Sequence, residues 1–134
     1  MPAIRPKTAS LLLGLSLAVT SGIQTVHAQD GFREIRVAPG MATSRSFIEV
    51  LKPFLDGHPE STEGNAGMEL SVNKDKAGSG FRVEIVKTGY LDDSVLGEHF
   101  RGYVIQTSKG EWELLSMAVK QLCARGETSE GTCQ

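Results

Sequence analysis

Apolar and polar residues alternate with a period of two along two stretches of the chain. Met68, Leu70 and Val72 alternate with Glu69, Ser71 and Asn73; Phe81, Val83 and Ile85 alternate with Arg82, Glu84 and Val86. Successive side chains of a strand point to opposite faces, so this pattern, with the polar turn KDKAGSG between, predicts a hairpin. Gly89 ends the second strand and residues 89–98 (GYLDDSVLGE) connect. Residues 99–107 predict a third strand, because Tyr103, Val104 and Ile105 are strand formers. Residues 107–110 (TSKG) supply the next turn.

Upstream the period lengthens. Phe47, Val50, Leu51, Phe54 and Leu55 fall on one helical stripe, and Ser46 with Glu49 has capping-box spacing. Pro53 lacks an N–H and crowds the carbonyl four residues back, so a kink or two short turns are expected there. Gly57 with Pro59 stops the helix, and residues 57–67 (GHPESTEGNAG) read as a polar, mobile connection. Residues 32–37 (FREIRV) read as a short edge strand or an extended lead-in, broken by Ala38-Pro39-Gly40.

The last element, residues 111–125, is ambiguous. Leu115, Ala118, Val119 and Leu122 fit a helical stripe, Ser108 and Glu111 have capping-box spacing, and Gly126 stands where a C-cap would. Against this, Trp112 and Leu114 alternate with Glu111 and Glu113 directly after a compact turn. The reading leans to a strand, which then needs a bulge near Leu114-Leu115 to restore parity.

The first residues have another character. Arg5 and Lys7 precede a nine-residue apolar run (LLLGLSLAV, residues 11–19), and Val26-His27-Ala28 closes the stretch with small or apolar residues at the third and first positions. That order describes a secretory signal peptide over residues 1–28, cut after Ala28. Nine apolar residues fall short of the roughly 20 that span a membrane. The competing reading makes residues 11–19 a buried helix of the mature fold. No Cys precedes Cys123 and no Arg-Arg pair precedes the apolar run, which argues against a lipoprotein and against twin-arginine export.

Removing 28 of 134 residues leaves 106, enough for a single small domain, and shifts the formal charge from −2 to −4. An acidic balance argues against nucleic acid as a partner. The remaining 106 residues carry 39 apolar ones, a globular composition. Cys123 and Cys133 are an even pair in what should be an oxidising compartment, periplasmic or extracellular, so a disulfide pinning the polar tail is expected. A redox or metal pair is the weaker reading, since CxxC spacing is absent.

The stretch TGYLDDSVLGEHFRGYVIQ, followed by WELLSMAVKQLCARG, resembles a set of short, exported, uncharacterised bacterial proteins. They share Asp-Asp-Ser-Val-x-Gly-Glu, then Trp-x-Leu, then a Cys before Arg-Gly. The resemblance covers about residues 88–126, roughly a third of the chain, and the matching positions are Asp92, Asp93, Ser94, Val95, Gly97, Glu98, Trp112, Leu114, Cys123, Arg125 and Gly126. The resemblance implies a strand at Trp-x-Leu and no assigned activity. Gly102 departs from it, where a larger apolar residue is expected.

The densest polar cluster is Asp92, Asp93, Glu98, His99 and Arg101. It could bind Ca²⁺, or one acid could orient His99 as a general base; loop acids that form turns and ion pairs are the bland alternative. Asn73, Asp75 and Gly78 form half a calcium loop without its terminal Glu, and a plain hairpin turn explains them better. His58, between Asp56 and Glu60, could suit zinc but reads as a solvated loop residue. Trp112 and Tyr103 could offer a binding surface and read as core. No GxSxG, HExxH, P-loop or CxxC is present.

Together these elements predict an α+β fold, one short kinked helix packed on an antiparallel sheet of about four strands, similar in layout to cystatin-like and lysozyme-inhibitor-like proteins. Layout alone licenses no function. The expected function is an exported, non-enzymatic binding or accessory protein of the bacterial envelope. It would act on a protein or small-molecule ligand, with no metal or cofactor and with no membrane span once the signal is removed. The alternatives are a small hydrolase or isomerase using His99 with Asp92, Asp93 or Glu98, and a calcium-dependent module.

Overall fold

A computed structural model describes residues 31–38, 42–128 and 132–134. The expected signal, residues 1–28, and the Pro39-Gly40 break lie outside them. Seven elements follow in order: β1 (Arg33–Ile35), β2 (Thr43–Ser44), α1 (Phe47–Leu55), β3 (Gly67–Lys74), β4 (Phe81–Thr88), β5 (Val95–Gln106) and β6 (Trp112–Cys123). All strands join one antiparallel sheet in the order β1-β6-β5-β4-β3, with β2 also on β6. The fold is thus one short helix on an antiparallel sheet, and the sheet has six strands where about four were expected. The surplus is small: β1 is three residues and β2 two. Both run along the same margin of β6, β1 beside residues 117–119 and β2 beside 112–113.

Pro53 does not break α1, which runs unbroken over nine residues. Proline so near the C-terminus loses only one intrahelical bond, and Asp56 N–H still reaches the Lys52 carbonyl at 2.9 Å. Ser46 is the N-cap, but its side chain makes no capping bond. The expected capping box is absent; instead Ser46 N–H donates to Ser44 Oγ at 3.1 Å. Gly57, at φ 77, takes the left-handed turn just past the helix end.

Residues 111–125 resolve as a strand over Trp112–Cys123. Opposite β5, Tyr103 faces Ser116 while Val104 faces Leu114, which leaves Leu115 as the extra residue of a bulge. Trp112 and Leu114 point to the helix side before the bulge; Met117 and Val119 do so after it. The bulge puts Leu114 and Met117, an odd step apart, on one face and so breaks the period of two along the strand. β5 begins at Val95, four residues before the expected start. Val95 faces Cys123 and Gly97 faces Leu122, so Leu96 is the extra residue of a second bulge, which hides the alternation there.

The core lies between α1 and the helix-side face of the sheet. Val50 and Leu51 meet Val83, Ile85, Phe100, Val104, Leu114, Met117 and Val119. Gly102 is not an unfilled core position: the Met117 side chain, 2 % exposed, occupies the room that a larger residue would take. Cys123 and Cys133 form the disulfide. Lys120 Nζ lies 3.1 Å from Glu127 Oε1, which ties the tail to β6 as well.

Candidate functional site

The five polar residues picked out from the sequence do not converge. Asp92 Oδ1 accepts the N–H groups of Ser94 at 2.7 Å and Val95 at 2.9 Å. Those two bonds hold its carboxyl below the usual aspartate range, as in a turn-forming Asx residue. Asp93 is exposed, 3.8 Å from Arg125. Glu98 and His99 are neighbours on β5, so their side chains leave opposite faces.

His99 and Arg101 project from the face away from α1. There Glu84 of β4 lies between them, its carboxylate 3.5 Å from His99 Nε2 and 3.6 Å from Arg101 Nε. The Phe32 ring covers both: it meets the imidazole edge-on at 5.1 Å and lies 4.1 Å from the guanidinium carbon. His99 Nε2 is buried and without a hydrogen bond among the described residues. The acid beside His99 is therefore Glu84, which the sequence reading did not select. Asp92 and Glu98 are engaged elsewhere.

On the helix side, Glu98 accepts the Tyr90 hydroxyl at 2.7 Å. Burial, then that bond and the Glu98 charge, then Glu60, push the Tyr90 hydroxyl well above the usual tyrosine range. Lys87, 6 % exposed, stands opposite Glu98 in the β4–β5 register. Its Nζ donates to the Asp56 carbonyl at 3.4 Å, where the helix C-terminus favours a cation, and sits 5.5 Å from the Phe100 ring centre. His58 is half-buried rather than solvated: Nε2 lies 3.0 Å from the Gly67 carbonyl and the ring is 5.7 Å from that of Tyr90. The cavity beside His58 and Tyr90 is about 20 Å³, room for about one water and no substrate.

The remaining candidates serve the fold. Asp75 accepts the Ala77 N–H and bonds Arg82 and the Tyr103 hydroxyl, each at 3.3 Å, as a hairpin-turn residue. Trp112 packs edge-on against Phe47 at 5.1 Å and near Phe81 at 5.6 Å. Among the described residues, no three His, Cys, Asp or Glu side chains are grouped as metal ligands. The Asp-Asp-Ser-Val-x-Gly-Glu stretch has a structural logic of its own. Asp92 caps the turn, Leu96 is the bulge residue, and at Gly97 a Cβ would collide with the Lys87 carbonyl.

The feature that stands out is the margin formed by β3. Leu70 and Val72 face Ile85 and Val83 in the register, so with Met68 they share the helix side of the sheet. Yet Met68, Leu70 and Val72 are 48 %, 37 % and 42 % exposed. A helix about 10 Å across covers roughly two strands spaced about 4.8 Å apart. α1 packs toward β6, so the far side of the sheet stays open. Among the described residues β3 is also the last strand of the sheet, with one side of its backbone unpaired. The alternation that predicted this strand is the same whether its apolar face is covered or bare.

Compared with protein-family models, with curated proteins and with solved structures, the chain matches none.

Proposed function

We propose that this chain is an exported, non-enzymatic binding protein of the bacterial envelope that engages a polypeptide partner along β3. The observation that carries the reading is the unpaired edge with Met68, Leu70 and Val72 left uncovered beside it. An unpaired edge supplies a row of backbone donors and acceptors, and an adjacent apolar stripe supplies side-chain grip; together they suit strand addition by an extended segment. The cover that the Phe32 ring gives His99, and the sharing of its neighbouring acid Glu84 with Arg101, support binding over hydrolysis. For export, the signal-like first 28 residues and the Cys123–Cys133 disulfide are the support, and among the described residues no helix is long and apolar enough to cross a membrane.

The test is retention on tagged protein expressed from its full sequence, with Leu70→Lys as comparison. The reading expects a polypeptide, either a foreign chain or an untagged copy of this one, that the wild type retains and the variant releases. Equal retention by both would contradict it.

A further inference from the structure

Resting on the reading of β3 as the working edge, we propose that its occupant is a second copy of this chain, paired antiparallel β3 to β3 about a two-fold axis at Ser71. The two margins of the sheet are built differently. Along β6 the edge is taken up by the short strands β1 and β2. Among the described residues β3 has no such cover; its register with β4 runs without a bulge over all eight residues, and the strand contains no proline. Sheet edges are ordinarily protected by short strands, bulges, prolines or inward charges. Here only Glu69 and Lys74 interrupt the strand, so it is a long, regular edge ready to pair.

The sequence of β3 is suited to pairing with itself. Directly opposed residues of an antiparallel pair share a face, so continuing the sheet requires helix-side residues to meet helix-side residues. Two central registers satisfy this. An axis at Leu70 would place Glu69 opposite Ser71 of the partner copy, whose neighbour on β4 is Glu84. That register brings carboxylates toward one another twice. An axis at Ser71 places Glu69 opposite Asn73 of the partner copy, whose neighbour on β4 is Arg82, a side chain 70 % exposed. In the same register Leu70 meets Val72 of the partner copy, and Met68 meets the aliphatic stem of its Lys74. Leu70 and Val72 gain apolar neighbours and each Glu69 approaches a cation, both doubled by the symmetry. Charge thus selects the Ser71 axis: the Leu70 axis would pair apolar residues throughout, Leu70 with Leu70 and Met68 with Val72 of the partner copy, but at the cost of its facing carboxylates.

Sedimentation velocity over a concentration series, on disulfide-bonded protein expressed from its full sequence, reads the assembly. The expected result is a species of twice the monomer mass that grows with concentration and is lost in Leu70→Lys. Residue 70 is already partly exposed, and a thermal melt of the variant verifies that it is folded. Cysteine trapping reads the register without disturbing the apolar stripe. Ser71→Cys should give a covalent dimer on mild oxidation, because the axis places the two residues opposite each other. Asn73→Cys should not, because the copies then lie several residues apart along the strands, beyond the roughly 7 Å Cα limit of a disulfide. A chain that stays monomeric at the highest attainable concentration overturns the proposal, as does a dimer that persists in Leu70→Lys or that is trapped through Leu70→Cys and not Ser71→Cys. A monomer whose retention of a foreign chain is still lost in Leu70→Lys leaves the binding reading standing and removes only the self-pairing; a monomer indifferent to the substitution removes both.

Discussion

A Cβ at Gly102 would lie 2.9 Å from Met117 Cε and 3.0 Å from the Ser116 carbonyl. Met117 is fully buried, so its sulfur end has little room to withdraw. Gly102→Val should therefore destabilise by about 1–3 kcal/mol through overpacking, more than the strand preference of valine, at most about 1 kcal/mol, returns. Adding Met117→Ala should recover part of that loss in urea unfolding; a Gly102→Val protein as stable as wild type would contradict the packing described. Tyr90 offers a second residue-scale test. Its hydroxyl titrates above the ordinary value because burial and the Glu98 carboxylate favour the protonated form. A pKa raised on folding contributes stability that is fully present below about pH 10 and is lost as pH rises through the folded value. Thermal melts should show wild type falling more steeply than Tyr90→Phe above pH 10, and parallel curves would argue against a protonated Tyr90 bonded to Glu98.

Bulges decide how the long strands are read and how they break. Deleting Leu115 should leave Met117 and Val119 on the core face, because the extra residue is removed and Leu114, Ser116 and Met117 then alternate against the same β5 partners as an unbulged strand. Such a protein should keep its cooperative urea transition. Leu115→Ser, at a position 50 % exposed, should stay within about 0.5 kcal/mol of wild type. A deletion that abolishes the transition would contradict a bulge at Leu115. Legibility followed regularity. The β3–β4 hairpin was readable from its unbroken alternation, and the helix stripe from Phe47 to Leu55. β2 was not, because two residues carry no period. The start of β5 was not, because Leu96 and Gly97 interrupt the pattern where the bulge forms. Pro53 was read as a breaker because its distance from the helix end depends on where the helix stops. Glu84 was not associated with His99 because their meeting depends on the β4–β5 register, which no local pattern reveals.

At the scale of the whole molecule, one helix and six strands are an unequal match. α1 covers the β6 side, the N-terminal strands close that margin, and the β3 margin remains open. The disulfide acts at the closed end, where it holds a polar tail that could not order itself by burial. Replacing both Cys123 and Cys133 with Ser should cost about 2–3 kcal/mol on the chain-entropy account, seen as a lower urea midpoint, while leaving the β3 edge unaltered; a change in β3 binding would contradict the separation of these two regions. On the proposed reading the molecule works through β3 and not through the residues around His99. Amide hydrogen exchange, measured on dilute protein and again with its partner or at high concentration, addresses it most directly. Protection is expected to rise in residues 67–74 and to stay unchanged in residues 98–101; protection gained at 98–101, with 67–74 exchanging as before, would contradict that reading.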